Sequence, residues 1–297
     1  MSEIKYTILL IMILSFTVNS KAQKLTNKDS LIKVYSDRAG EYFTKDSISQ
    51  AIVYINKAIE LDPNAANLYG YRGLFYYFYP SHLDSALIDI SHSIMLDSLV
   101  EKTHVLRADI FTKMKRYSEA QQDLNFLVRR DSDNIDYRYY RAINYTHLNQ
   151  YEKTIQDYLK VIDLDRKNMT ASDKIVFVYN NLGYNYLQIE NYTKAKFYID
   201  KAILEKPNMS FIWGSRGILN YKLGKIEKSL NDLNKAITIY ESGKEDGVNF
   251  QPDLMYYYRG LIQMKQHQNI QSCQSFSKAL ELGNKDAKAK MSKVCNQ

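Results

Sequence analysis

Proline is scarce in this sequence, at four residues in 297, and glycine reaches only eleven. A chain this poor in both is neither collagen-like nor a proline-rich linker. With 45% hydrophobic and 25% charged residues it can bury a large core. Cysteine is nearly absent, so Cys273 and Cys295 allow at most one internal bridge. The five histidines, His82, His92, His104, His147 and His267, stand apart with no second ligand at metal spacing. The chain lacks G-x-x-x-x-G-K-[ST], G-x-G-x-x-G after a strand, H-E-x-x-H and G-x-S-x-G. Any carboxylate pair can be picked out of 33, so acidic spacing carries no signal for acid–base chemistry. These absences predict a protein that is not an enzyme and holds neither cofactor nor metal.

No block of five Lys or Arg occurs, and the formal charge of +7 is spread along the chain as an ordinary solvated surface. A nucleic-acid partner is therefore not expected. The one long apolar run is Thr7 to Val18, too short to span a bilayer comfortably. A polar segment follows it, with Ser20 and Ala22 at A-x-A spacing, which reads as a secretory signal peptide over residues 1–22, cut before Gln23. An uncleaved anchor is the alternative. Cleavage removes Lys5, Lys21 and Glu3 and leaves +6. The expected location is periplasmic or extracellular, with no membrane-spanning segment after cleavage.

What the chain does have is a repeat. A small residue recurs at Ala39, Gly73, Ala108, Ala142, Gly183, Gly217 and Gly260, with spacings of 34, 35, 34, 41, 34 and 43. A second small or short residue follows 12 or 13 positions later, at Ala51, Ala86, Ala120, Thr154, Ala195, Ser229 and Ser272. A third core position lies seven further on, from Ala58 to Ala279. Tyr, Trp or Phe flank the first small residue at helical spacing in most units, so much of the tyrosine content, 26 in all, is expected in the core. The unit from Val176 to Met209 carries Tyr179, Gly183 and Tyr186, then Ala195, Ile199, Ala202 and Pro207. In this pattern it resembles the tetratricopeptide repeat of exported bacterial proteins. The resemblance implies an all-α superhelical solenoid of about seven helix-turn-helix units. The expected divisions are a lead at 23–31, the repeats at 32–286 and a capping helix at 287–297.

Two features depart from a plain repeat. The residue before the small one is Arg38, Arg72, Arg107, Arg141, Arg216 and Arg259, with leucine only at Leu182. An aspartate lies three residues past the second small position at Asp89, Asp123, Asp157 and Asp232, and all four of those units have the arginine. Structural ion pairs joining Arg107, Arg141 and Arg216 with Asp123, Asp157 and Asp232 are predicted, within a unit or between neighbours. An arginine ladder for a polyanion is the competing reading. Extra residues mark Tyr79–Ser81, the stretch 166–174 and the loop 241–252. Stretch 166–174 is read as a longer connector or an extra turn on the following helix.

In tetratricopeptide repeat proteins the first helices line a concave surface, and exposed positions there usually hold the ligand. Carried onto this chain, that resemblance implies a groove of Tyr139, Ile143, His147, Phe177, Asn180, Tyr184, Phe211, Tyr221 and Tyr257. An extended peptide or an amphipathic helix of an unidentified protein suits such a face. A glycan- or polyanion-binding module is the alternative. The carboxylate-clamp subclass is disfavoured, because only Lys102 of its expected set is present. Beyond Asp286, Ala287, Met291 and Val294 share one helical face, with Asn284 as N-cap. Cys273 and Cys295 lie ten and eleven residues from the turn between their helices, about 15 Å along each. They are read as a disulfide stapling the cap, with two buried thiols as the alternative. Four Asp-Ser-aliphatic tripeptides, at Asp29, Asp46, Asp84 and Asp97, look like acceptors of one bacterial O-glycosylation system.

Overall fold

A computed structural model of the chain describes residues 27–169, 174–243 and 252–295. Residues 1–22, read above as a signal peptide, and most of the loop 241–252 lie outside the described residues. Among the described residues there are fifteen α-helices and no strand.

The chain divides into two compact parts, residues 1–114 and 115–297. The first holds α1 (Asn27–Thr44), α2 (Ile48–Leu61), α3 (Ala66–Tyr77), α4 (Leu83–Leu96) and α5 (Glu101–Lys113). The second holds α6 (Tyr117–Arg130), α7 (Ile135–His147), α8 (Tyr151–Asn168), α9 (Ile175–Gln188) and α10 (Tyr192–Glu205). It continues through α11 (Ser210–Lys222), α12 (Ile226–Glu241), α13 (Pro252–Lys265), α14 (Asn269–Glu281) and α15 (Lys285–Val294). Helix α1 begins at Asn27, ahead of the repeat phase that starts at Ile32. Part of the stretch 166–174, read as a longer connector or an extra turn on the following helix, instead extends α8, which runs 18 residues to Asn168.

The small residues mark where two backbones approach. A Cβ on Gly183 would sit 2.4 Å from Ile199 of α10, and one on Gly260 would sit 2.8 Å from Phe276 of α14. Any larger side chain would push the helices of a hairpin apart. The second small position fills the same crossing, and where it carries a hydroxyl that group finds a carbonyl 12 residues back. Ser229 donates to the Gly217 carbonyl at 2.7 Å, and Ser272 to that of Gly260 at 2.9 Å. Neither hydroxyl is left unpaired in the core, which removes the usual cost of burying one. Around these crossings Ile55, Ala58, Leu182, Ile199, Leu233, Ala236 and Phe276 are fully buried.

Each first helix ends in a left-handed residue seven positions past its small residue. These are Asp46, Lys115, Asn149, Glu190, Gly224 and His267, with φ between 56° and 72°. The following amide then reaches back into the helix, as Asn191 N–H does to the Tyr186 carbonyl at 2.9 Å. In the second unit that place is Pro80, whose ring forbids positive φ, and the chain makes a 3₁₀ turn over Pro80–His82 instead. Connections between the first four units use aspartate at Asp62, Asp97 and Asp131. Asp97 accepts from Leu99 N–H at 3.0 Å and Asp131 from Asp133 N–H at 3.2 Å.

Candidate functional site

In five units the arginine before the small residue and the side chain 16 or 17 positions later face each other across one hairpin. Arg72 holds Asp89 through two bonds of 2.7 Å, and Arg141 holds Asp157 at 2.7 and 2.8 Å. Arg216 holds Asp232 at 2.9 and 2.8 Å. A planar guanidinium matches a carboxylate with two parallel bonds, so these pairs fix distance and angle together. The third donor reaches the second helix of the preceding unit: Arg72 to Asn56 at 2.7 Å, Arg141 to Asn125 at 3.4 Å. The arginines therefore close a hairpin and join it to its neighbour. Asp157 is shared, because Arg138 also binds it at 2.8 Å. Where aspartate is missing the arginine takes what stands there: Arg38 donates to the Tyr54 hydroxyl at 3.3 Å, Arg259 to Ser275 at 3.0 Å. These last two partners, and the asparagines, carry no charge and were not foreseen. Asp123 is buried and Arg107 half-buried, and they belong to different parts.

The expected groove positions lie on α7, α9, α11 and α13 of the second part, but they are less open than a binding face requires. Tyr139, Asn180 and Phe211 are buried, Tyr139 with its ring 6.0 Å from that of Tyr158. Ile143, Phe177, Tyr184, Tyr221 and Tyr257 are half-buried. Phe177 stacks on Phe211 with ring centres 5.5 Å apart, and Tyr221 meets Tyr258 edge-on at 5.2 Å. Lys265 lies 4.8 Å above the Tyr221 ring. His147, at the end of α7, is stacked on Tyr117 at 4.4 Å.

Within this face one buried polar atom has no hydrogen-bond partner among the described residues. Asn180 is 6% exposed, and its Oδ1 is buried without a hydrogen bond. One turn on, burial pushes the Tyr184 phenol up to about 12, and the charge of Asp253 is among its neighbours. Burial raises the Asp253 carboxyl as well, against the amide of Asn284, which donates to it at 3.1 Å. Among the described residues no cation is paired with Asp253.

Cys273 and Cys295 form a disulfide, with Cα atoms 5.2 Å apart, that ties α15 to α14. Asn284 caps α15 by accepting from Ala287 N–H, and Ala287 and Val294 are buried in the last core cluster. Of the Asp-Ser-aliphatic serines, Ser30 and Ser98 are exposed and Ser47 and Ser85 half-buried. No cluster of three or more metal-ligating side chains occurs among the described residues, and no helix there is long and apolar enough to cross a membrane.

The tetratricopeptide repeat family matches residues 32–65, 178–209 and 212–243. The chain carries tetratricopeptide repeats. It is 21% identical over 243 residues to tetratricopeptide repeat protein 16 of Macaca fascicularis, covering 76% of this chain and 28% of that protein. It is 23% identical over 212 residues to a DnaJ homolog subfamily C member 7 homolog of Dictyostelium discoideum, covering 68% and 38%. The chain thus spans roughly a third of the length of these curated relatives. Among solved structures, a tetratricopeptide repeat protein from Parabacteroides merdae superposes with a TM-score of 0.70 at 19% identity, over 90% of this chain and 100% of that one. YrrB, described as a tetratricopeptide repeat protein with an unusual peptide-binding site, gives 0.51 at 18%, over 63% and 92%. At such identities the likeness establishes the fold.

Proposed function

We propose that this chain is a non-enzymatic protein-interaction scaffold of the cell envelope, holding a peptide segment or helix against the first helices of its second part. The observation that carries this reading is the face over α9, α11 and α13. It combines half-buried aromatic rings with a buried asparagine oxygen that nothing among the described residues satisfies. Hydrophobic contact area with a few unsatisfied polar groups is what a bound segment completes. The peptide-binding site named for YrrB supports the same use of the fold. Export is supported by the apolar run with its A-x-A site and by the pairing of both cysteines. The glycan or polyanion reading asked for exposed groove aromatics beside Lys and Arg. Of the nine groove residues, three are buried, five half-buried and His147 exposed, so no groove aromatic of the Phe or Tyr kind is open, which favours a protein segment.

Affinity capture with the mature protein, from the envelope fraction of its own cell, tests this. A protein retained by the wild type and lost with Tyr184→Ala is the expected result. A wild type that retains no protein would end the scaffold reading.

A further inference from the structure

We infer that the guanidinium of Arg259, on α13, binds a carboxylate from outside the chain. The site lies at the crossing of α13 and α14 and is independent of the groove reading. The first support is a comparison of like positions. Arg72, Arg141 and Arg216 each donate through Nε and Nη2 to one aspartate, Asp89, Asp157 or Asp232. In the seventh unit Ser275 stands at the aspartate place and accepts only from Nε of Arg259, at 3.0 Å. Ser275 is buried and donates in turn to the Gln263 side chain at 2.7 Å, so its hydroxyl is fixed. That hydroxyl is neutral and offers one oxygen where a carboxylate offers two. Nη1 and Nη2 of Arg259 have no hydrogen-bond partner among the described residues.

The second support comes from α12. Asn56 and Asn125, each five residues past the second small residue of its unit, accept the third bond of the arginine that follows. Asn234 has that place after Ser229, but it is exposed and makes no bond to Arg259 among the described residues. The fork thus lacks both of the partners that Arg72 and Arg141 have. It is half-buried all the same, and burial pulls its guanidinium down from the ordinary arginine range, while the bond to Asp89 holds Arg72 up. It stays charged. Arg38 also has no aspartate, but it is exposed and water serves it.

The charges nearby do not fill the place. Glu241 accepts from the Tyr256 hydroxyl at 2.7 Å, whereas Arg259 lies 5.1 Å over the face of that ring, and no ion pair joins the two. Lys278 is paired with Glu281 at 2.8 Å. A half-buried cation with two free nitrogens in one plane, above an aromatic ring, gains both charge pairing and parallel hydrogen bonds from a carboxylate. Its source is an acidic side chain or chain terminus of a bound protein, or a free small acid.

Two variants of the full chain test this: Arg259→Gln removes the fork, and Ser275→Asp fills it from within. The melting temperature of Arg259→Gln should equal or exceed that of the wild type, and that of Ser275→Asp should exceed it, because one removes and the other neutralises an uncompensated charge. If free acids are the source, acetate raises the wild-type melting temperature relative to chloride at constant ionic strength and leaves both variants unmoved. If a protein is the source, two displayed libraries of twelve-residue peptides, one allowing and one excluding Asp and Glu, enrich only in the first. Affinity should then fall at least tenfold when one acidic residue becomes its amide, and at least tenfold on either variant. Circular dichroism checks folding, and either variant suffices alone. A melting temperature that drops on Arg259→Gln as far as on Arg216→Leu means that the fork is already partnered, and overturns the inference. Responses indifferent to both variants, a response to inorganic phosphate alone, or none in either arm overturn it too. The groove reading then still rests on the capture experiment with Tyr184→Ala.

Discussion

The hairpins α9/α10 and α11/α12 have the same length of turn, the same glycine crossing and adjacent places in one part, yet the position before the glycine holds them together by opposite chemistry. In α11/α12, Arg216 grips Asp232 with two bonds, and Asn220 adds a third at 2.8 Å. In α9/α10 the same two places are Leu182, fully buried, and Tyr198, which stacks on Tyr186 at 5.6 Å and on Tyr179 at 6.3 Å. One backbone geometry thus accepts an ion pair or an apolar stack, provided both members change together. The lesson is that the glycine fixes the hairpin and the flanking pair only has to be complementary. A half-exchanged pair is the state the fold cannot accommodate, because it leaves a charge without its partner in a mostly buried place.

The largest effect should come from the carboxylate that serves two arginines. Asp157→Ala strands Arg138 and Arg141, whose side chains are 16% and 17% exposed. A loss of about 4 kcal/mol is expected in urea unfolding of the full chain. A cost under about 1 kcal/mol would mean that the pairs are surface decoration.

Next in size is the exchange itself. Arg216→Leu alone should cost about 3 kcal/mol, since Asp232 stays buried with only Asn220 beside it. Adding Asp232→Tyr recreates the α9/α10 pair, and the double variant is expected within about 1 kcal/mol of the wild type. A double variant as unstable as the sum of the singles would show that the two hairpins differ in more than this pair.

The glycine comes third. Gly183→Ala places a Cβ 2.4 Å from the Ile199 side chain and 3.2 Å from the Ala195 carbonyl. The better helix propensity of alanine offsets part of the clash, leaving a loss of about 1–2 kcal/mol. A gain in stability would show that the close approach is not what selects glycine here.

The repeat phase was legible in the sequence because each small residue sits where two backbones nearly touch, and nothing larger fits at Gly183, Gly217 or Gly260. The Arg and Asp partnership was legible for a related reason: where Leu182 replaced the arginine, Tyr198 stood at the aspartate place. The neutral partners were not. Asn56 and Asn125 each lie 16 residues before their arginine and Ser275 stands 16 after Arg259 at the aspartate place, but neutral side chains leave no charge pattern to read. The binding face was legible only as a set of helix positions. Whether Tyr139 or Phe211 is open depends on what packs against it, Tyr158 for the one and Phe177 for the other, and that is set by tertiary packing. The left-handed turn residues were hidden too, since five of the six are not glycine.

Those turns give the smallest and most diagnostic prediction, because they separate the same two hairpins once more. The turn of α11/α12 has Gly224 at φ 72°, and that of α9/α10 has Glu190 at φ 59°. A side chain in the left-handed region costs about 1 kcal/mol in Cβ crowding that glycine avoids. Part of that saving is lost because glycine also gives the unfolded chain more freedom. Glu190→Gly should therefore raise stability by about 0.5 kcal/mol, and Gly224→Ala should lower it by about 1 kcal/mol. The neighbouring bonds, Asn191 N–H to the Tyr186 carbonyl and Lys225 N–H to that of Asn220, both 2.9 Å, are the same in the two turns. Any difference between the variants then reports the turn residue alone. If Glu190→Gly destabilises instead, the glutamate side chain contributes a contact that outweighs its backbone strain.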